Sequence, residues 1–306
     1  YATLPKWIKM NKIVFVPTKS RYELEIANYG SEKAAMKKYP ATERWRDIRE
    51  GHDIQKRNLE LLVRKTGITS LLDRSELTDE IIKNNDLFAF VGGDNHFTYC
   101  SQLVLNYQQK NPGNGKPVLG VILDPKRSSG ALLSYDVPQL LNYLEKLKAR
   151  DFLTEPWTTL EATVDNGTKV HVFPAMCDYF VGEYSNLFMS RSQISGINEN
   201  QEIPEKSSGI LIVTGAGSGP GSWYDNIHQC YFGISDTFEK DEEIVRIILR
   251  ENKRRYKTTL YPGQTLTLES YNDGKGIISP DSHEDHSSNF NMGAKLKIKI
   301  SETKLT

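Results

Sequence analysis

The chain has few cysteines, no excess of charge of either sign and no long apolar run. Its three cysteines are widely spaced and form no CxxC pair, so a disulfide framework is not expected and a reducing compartment is favoured. The 39 basic residues balance the 39 acidic ones, which argues against a nucleic-acid-binding protein. No apolar run approaches the ~20 residues of a transmembrane helix. We therefore expect a soluble protein of the cytoplasm or the mitochondrial matrix, without nucleic-acid or membrane partners, in which residues 1–10 form a tail.

The first half of the chain alternates apolar segments with helical patterns. Strands are predicted at residues 12–16, 87–91 and 117–123, and helices at residues 41–65, from 78 onward, at 95–109 and at 137–150. Asp136 is expected to cap the last of these helices, with Pro138 in its first turn. This order indicates βαβ units around a largely parallel sheet.

The pattern changes after Arg150, where short β-rich segments predominate. Asn166-Gly167 stands between two of them, at residues 158–164 and 168–173, and is the strongest short signal for a hairpin. Further strands are predicted at residues 179–184, 188–194, 210–213, 265–270 and 296–300, and helices after residue 221 and at 240–252. The predicted fold class is α/β. A Rossmann-like nucleotide-binding domain spans residues 1–150, and a β-rich, sandwich-like domain spans 151–306, with its end packing back on the first.

Two glycines and an aspartate follow the strand at residues 87–91, directly before a helix. A turn with almost no side chains lets a phosphate approach backbone N–H groups and the helix N-terminus. It also places the Asp94 carboxylate at the carboxyl end of a strand, where open α/β sheets bind ligands. There Asp94 is suited to orient an attacking hydroxyl and accept its proton. Such turns also serve merely to reverse the chain, and His96 either touches a phosphate or simply occupies the first helical turn.

Four further segments are candidates for function. The loop at 124–130 follows the next strand, either lining the same cleft or acting as an ordinary βα loop. Residues 214–221 lack bulky side chains after a buried strand, which we interpret as phosphate or nucleotide contact. Asp178 is either an acceptor for ribose hydroxyls or a turn aspartate. Residues 283–286 (HEDH) include metal-ligand types but are interpreted as a solvated loop.

The order of these segments resembles that of the NAD kinase family, most closely the mitochondrial type. Gly-Gly-Asp follows one strand, Asp-Pro-x-Arg-Ser-x-Gly the next, and a β-rich part then leads to Ser-Ser-Gly, a strand and Thr-Gly-x-Gly-Ser. Further matching pieces lie at residues 18–23, 52–58 and 180–183, and the resemblance is collinear from about residue 12 to residue 227. It implies transfer of the γ-phosphoryl of ATP to the adenosine-ribose 2′-hydroxyl of NAD, with Mg²⁺, in a cleft between the two domains of a homodimer or tetramer.

The resemblance also implies a set of site residues. Asp94 falls on the catalytic aspartate of the family, and Asp178 on the acidic residue that holds a ribose. No metal ligand is assigned to the protein. The residues predicted to bind nucleotide are Gly92, Gly93, Asn95, His96, Asp124, Arg127, Ser128, Cys177, Asp178, Ser208, Thr214, Gly217 and Ser218.

The chain departs from the family pattern at three places, all within the predicted site. Asn95-His96 replaces Gly-Thr after Gly-Gly-Asp, and Cys177 replaces an asparagine. The Gly-rich turn is about two residues longer, at 219–221. The sequence therefore leaves three hypotheses: a kinase of the NAD kinase type, a homologue that binds or senses NAD(P) without turnover, and a kinase of a different hydroxyl. Lipid kinases share the first motif but lack the later ones.

Overall fold

The chain folds into two compact units. The computed structural model describes residues 13–39, 42–67, 71–149, 151–185, 187–197 and 203–306. The first unit contains the described residues up to Cys100 together with Lys116–Thr154, and the second contains Ser101–Gly115 and Glu155–Thr306. The predicted tail at residues 1–10 lies outside the described residues, and the predicted domain boundary after residue 150 stays a prediction.

A four-stranded parallel sheet forms the centre of the first unit. In spatial order its strands are β1 (Ile13–Pro17), β2 (Leu87–Gly92), β3 (Val118–Ile122) and β4 (Tyr135–Asp136). β2 pairs in parallel with both β1 and β3, and all of its residues are buried. A parallel strand buried on both faces has to be apolar throughout, which explains the continuous run that predicted it.

Helices precede or follow these strands, and four of them begin after a side chain that caps the helix. The described helices are α1 (Arg21–Tyr29), α2 (Glu32–Met36), α3 (Thr42–Thr66), α4 (Asp79–Lys83), α5 (Asp94–Lys110) and α6 (Val137–Lys148). The Asp136 carboxylate accepts the N–H of Gln139 at 2.8 Å, so the predicted cap of α6 is confirmed. α1 was not predicted from the sequence, although Ser20 caps it with Glu23 in a capping box.

The second unit contains two antiparallel six-stranded sheets. The first runs, in spatial order, β12 (Lys257–Leu260), β11 (Val245–Leu249), β10 (Ile210–Val213), β7 (Asp178–Glu183), β14 (Gly276–Pro280) and β15 (Ser288–Asn289). The second runs β6 (Lys169–Ala175), β5 (Leu160–Asp165), β16 (Lys295–Ile300), β13 (Leu266–Ser270), β8 (Ser190–Ser195) and β9 (Ile203–Ser207).

Both sheets contribute to one apolar core. Tyr179 and Ile212 come from the first sheet, and Leu160 and Leu268 from the second; each is fully buried. β5 and β6 pair as the hairpin predicted around Asn166-Gly167. The predicted α/β fold with a β-rich, sandwich-like second part is confirmed.

The helix predicted at residues 240–252 is wrong. The segment contains β11, which pairs with β10 on one side and β12 on the other. Val245, Ile247, Ile248 and Leu249 are fully buried. A short apolar run has no periodicity that separates a buried strand from a buried helix, and its β-branched residues favour the strand once neighbouring strands are present.

The helix predicted after the Gly-rich turn is confirmed as α7 (Trp223–Phe232), which Ser222 caps and Gly233 ends. None of the helices in the described ranges combines the length and apolar character needed to cross a membrane. All three cysteines are free thiols, with Cys100 and Cys177 buried and Cys230 exposed.

Candidate functional site

Asp94 is the first residue of α5 and lies directly after the turn that ends β2. Its two carboxylate oxygens accept the N–H groups of Ala131 at 3.1 Å and Leu132 at 2.9 Å. A carboxylate at this position also interacts favourably with the positive end of the helix dipole. The side chain is therefore held in one orientation, with lone pairs left on both oxygens for a further donor.

The turn itself has little room for side chains. A Cβ atom on Gly92 would lie 3.0 Å from the side chains of both His96 and Thr18, and one on Gly93 would lie 3.4 Å from the Ser128 hydroxyl. Ser128 belongs to the loop after β3, which pairs with β2 in parallel. The loops that follow these two strands therefore meet at one edge of the sheet.

Asp124 and Arg127 form an ion pair in the loop after β3. The buried Asp124 carboxylate accepts the N–H of Lys126 and a guanidinium N–H of Arg127, both at 3.1 Å. Arg127 also donates to Asp47 of α3 at 2.7 and 3.0 Å, and these bonds raise its pKa. Arg127 lines a pocket of about 440 Å³ in the first unit together with Gly51 and Arg44. Three carboxylates, those of Asp47, Glu50 and Asp124, hold the Arg127 guanidinium in place.

Two segments that extended the resemblance, residues 18–23 and 52–58, meet in the structure. The Ser20 hydroxyl lies 2.8 Å from Nδ1 of His52, whose ring stacks on Tyr22 with centroids 4.7 Å apart. The Asn58 amide donates to the Leu123 carbonyl at 2.9 Å, just before the loop with Asp124. These residues shape the surroundings of the loop after β3.

The two residues that replace Gly-Thr have different environments. His96 is 5% exposed, and its Nε2 lies 2.8 Å from the Val16 carbonyl, so Nε2 carries the hydrogen. Burial lowers the pKa of His96, which keeps the ring neutral. The His96 side chain joins α5 to β1, as expected if this residue simply occupies the first helical turn. Asn95 is exposed to solvent beside Asp94.

In the second unit, the Gly-rich turn packs directly on the turn that contains Cys177 and Asp178. The N–H of Thr214 donates to the Cys177 carbonyl at 2.9 Å, and its hydroxyl donates to the Met176 carbonyl. A Cβ atom on Gly217 would lie 2.3 Å from the Cys177 carbonyl oxygen. The structure thus brings together four residues that the sequence predicted for nucleotide binding.

The first part of the Gly-rich turn is buried. Residues Gly215–Gly217 form a 3-10 turn, and a Cβ on Gly215 would lie 1.9 Å from the Glu239 carbonyl oxygen. The Ser218 hydroxyl donates to the Gly215 carbonyl at 2.8 Å and accepts the N–H of Phe238 at 3.0 Å. Close packing against neighbouring backbone therefore requires glycine at 215 and 217. The solvent-exposed part of the turn begins at Pro220.

Asp178 begins β7 and has an unusual carboxyl group. Its Oδ1 atom is buried and has no hydrogen-bond partner among the described residues. Burial, together with the nearby charge of Asp281, raises its pKa to about 7. A ligand with hydroxyl donors would satisfy this carboxyl, as the ribose interpretation requires.

Ser208 lies apart from the other predicted residues of the second unit. It precedes β10, whereas Thr214 follows the same strand. Its hydroxyl donates to the Glu251 carboxylate, and its N–H donates to the Arg250 carbonyl at 3.0 Å. The structure does not bring Ser208 together with the Gly-rich turn.

Asp281, which accepts the N–H groups of the turn with Cys177 and Asp178, was not predicted from the sequence. In the neighbouring segment, the predicted solvated loop agrees with the exposure of Glu284 and Asp285 but not with the burial of the two histidines. His283 and His286 are only 7% and 6% exposed. The single signal was the concentration of His and Asp after β14. Among the described residues, no group of three or more His, Cys, Asp or Glu side chains is arranged to hold a metal ion.

We expect Asp178→Asn to stabilise the protein at pH 8 but not at pH 4. Because the pKa of Asp178 rises from 3.8 to about 7 on folding, its proton stabilises the folded state below the unfolded pKa. That contribution is lost as the pH rises through 7, where the buried carboxylate becomes charged. The free energy of unfolding of the variant should therefore exceed that of the wild type by an amount that grows between pH 3.8 and about 7, to the order of a few kcal/mol.

Thermal unfolding of both proteins across this pH range would measure the difference. Asp285→Asn is the matched control, because Asp285 is exposed. A difference between Asp178→Asn and the wild type that does not change with pH would contradict the raised pKa.

Comparisons with known proteins bear on the fold. No protein-family model matches the chain, and no curated protein matches its sequence. The structure is similar to an NAD kinase from Archaeoglobus fulgidus in complex with ATP, with a TM-score of 0.59 and 12% identity, covering 96% of this chain and 91% of that one. It is also similar to yeast NADH kinase complexed with NADH, with a TM-score of 0.62 and 11% identity, covering 98% and 83%. The chain therefore has the fold of the NAD kinases.

Proposed function

We propose that this protein is a kinase that transfers the γ-phosphoryl group of Mg-ATP to the adenosine-ribose 2′-hydroxyl of NAD or NADH. The observation that carries the proposal is the orientation of Asp94, which two backbone N–H groups fix at the N-terminus of α5. The fold supports it, because the similar structures are an NAD kinase in complex with ATP and an NADH kinase in complex with NADH.

In the proposed reaction Asp94 orients the 2′-hydroxyl and accepts its proton. The hydroxyl oxygen forms a bond to the γ-phosphorus, the bond between that phosphorus and the β,γ-bridging oxygen breaks, and ADP leaves. Positioning and charge neutralisation provide most of the catalysis in such transfers, so the rigid attachment of Asp94 matters as much as its basicity.

Asp178 is proposed to accept hydrogen bonds from ribose hydroxyls. Its buried Oδ1 has no partner among the described residues, which favours this role. Mg²⁺ enters with the nucleotide substrate and takes most of its ligands from phosphate and water. An all-protein metal cage is therefore not required.

The runner-up function is binding of NAD(P) without phosphoryl transfer. Asn95 favours it, because this exposed residue follows Asp94 where the family resemblance would have glycine. A side chain there restricts the approach of a phosphate to the helix N-terminus. Nucleotide binding with no product would support this function.

The test is to incubate the purified protein with Mg-ATP and either NAD or NADH, and to quantify NADP, NADPH and ADP by chromatography. We expect equal amounts of ADP and phosphorylated dinucleotide. Calorimetry with each nucleotide separates binding from turnover, and light scattering of the same sample tests the expected homodimer. If no product forms and no nucleotide binds, both candidate functions are wrong.

A further inference from the structure

Three backbone N–H groups of the turn that presents Asp178 donate to one carboxylate. Oδ1 of Asp281 accepts the N–H groups of Cys177 at 2.8 Å and Asp178 at 3.0 Å, while Oδ2 accepts that of Met176 at 3.2 Å. In the opposite direction, the N–H of Asp281 donates to the Asp178 carbonyl at 2.8 Å. Three consecutive backbone donors on one side chain leave this turn little freedom to move.

A further set of contacts fixes Asp281 itself. The amide nitrogen of Gln102 donates to Oδ2 at 2.7 Å, so the amide oxygen faces His286 and accepts its Nδ1–H. The His286 ring stacks on Phe173, with centroids 4.2 Å apart and an angle of 7°. Asp281 also has a φ of +46°, a left-handed conformation that non-glycine residues rarely adopt. Strained backbone of this kind persists only where surrounding contacts hold it, often at functional sites.

The hydrogen bonds indicate which of the two carboxyls, Asp178 or Asp281, carries the negative charge. Burial raises the pKa of Asp281, and the four N–H donors that its carboxylate accepts act in the opposite direction, because they stabilise the ionised form. Asp178 has a buried oxygen with no donor among the described residues. Of two buried carboxyls that interact, the one without donors takes up the first proton, so Asp178 titrates next to a charged Asp281.

We propose that Asp281 is a positioning residue that fixes the turn presenting Asp178 and, through its charge, makes the affinity of Asp178 for ribose hydroxyls depend on pH near neutrality. The proposal rests on the function proposed above for Asp178. An ionised carboxylate accepts from both hydroxyls of a vicinal diol, whereas the protonated form loses acceptor capacity. Binding should therefore strengthen as Asp178 ionises.

Tyr179, His283 and His286 are ionisable groups of the elements around the pair. Tyr179 follows Asp178 in β7, and burial raises its pKa well above the usual value, so it stays neutral. His283 and His286 lie in the segment after β14, and His286 donates to the amide of Gln102, which in turn donates to Asp281. The packed Gly-rich turn carries no charged side chain from residue 214 to 222, nor do β10 and β14. Burial and Asp281 are the causes that raise the pKa of Asp178.

The experiment measures NADH affinity by fluorescence from pH 5.5 to 8.5 for the wild type, Asp281→Asn and the exposed control Asp285→Asn. For the wild type we expect affinity to rise about tenfold per pH unit below neutrality and then level off, as the loss of one proton from Asp178 requires. Asp281→Asn removes the neighbouring charge, so the pH at which NADH affinity is half-way to its plateau should fall by about one unit or more. The control should keep the wild-type midpoint. A loss of affinity that is equal at every pH would show a merely structural role and overturn the proposal.

A second measurement needs no ligand. Carboxyl-¹³C NMR of the wild type, with Asp178→Asn to assign the signal, reports the titration of Asp178 directly, even if Asp281→Asn does not fold. Titration near neutrality supports the proposal, and titration at the ordinary value for aspartate overturns it. If this titration is found but the wild type binds no nucleotide, the proposed function fails while the coupling between Asp281 and Asp178 stands.

Discussion

Asp94→Asn is expected to lower the rate of NADP formation by a factor of about 10² to 10⁴, the range that a positioned general base contributes. The amide cannot accept the proton of the 2′-hydroxyl. Its oxygen still accepts one of the two N–H groups of Ala131 and Leu132, while its NH₂ group faces the other. We therefore expect a modest decrease in the melting temperature and unchanged secondary structure. Initial rates with Mg-ATP at saturating NAD, together with circular dichroism, measure both effects.

Asp136→Asn is the matched control for this experiment. Asp136 also accepts a backbone N–H at the start of a helix, that of Gln139 at 2.8 Å, and asparagine is an equally good N-cap. The control should retain wild-type activity and stability. If Asp94→Asn forms NADP at nearly the wild-type rate, Asp94 is not the base and the proposed mechanism is wrong.

Gly217→Ala is expected to destabilise the second unit by about 2–3 kcal/mol or more, because the new methyl group overpacks a site that cannot relax. Its Cβ would lie 2.3 Å from the Cys177 carbonyl oxygen and 2.7 Å from the carbonyl carbon. Both are backbone atoms of the turn that presents Asp178, so relief requires that turn to move away from Thr214. We expect the melting temperature to fall by roughly 5–10 °C and NAD affinity to fall with it.

Gly219→Ala separates this clash from a general effect of replacing glycine in the same turn. A Cβ atom on Gly219 meets nothing within 4 Å, and its φ is not in the left-handed region. Alanine there should be neutral or stabilise slightly, because it restricts the unfolded chain. Equal destabilisation by both substitutions would show that the Gly-rich turn is not packed against Cys177.

Local signals in the sequence predicted the elements whose structure depends on local interactions. Asp136 caps α6 through its own helix, and Asn166-Gly167 turns the chain between strands that pair with each other. β2 was recognised because a strand buried on both faces requires an unbroken apolar run. Arg246 interrupts the apolar run of β11, so the run alone did not separate strand from helix, and the pairing with β10 and β12 decided for the strand.

The candidate site likewise contains residues that the sequence located and one that it did not. Motif order located Asp94, the loop with Asp124 and Arg127, and the Gly-rich turn, because these segments follow strands at positions that the sequence shows. Asp281 was not found, since its three backbone donors lie more than a hundred residues earlier in the chain and Gln102 earlier still. Nothing in the local composition predicts a hydrogen bond across that separation.

The sequence by itself determined the alternation of strands and helices in the first half, the β-rich second half and the order of motifs that resembles the NAD kinases. These depend on periodicity, capping and turn chemistry, which act over a few residues. Only the tertiary structure decided that His96 is buried against Val16, that Gly215 and Gly217 make room for neighbouring backbone, and that Asp178 lies beside Asp281. Burial and partners set the ionisation and packing of a side chain, and both arise from contacts between residues that are distant in sequence.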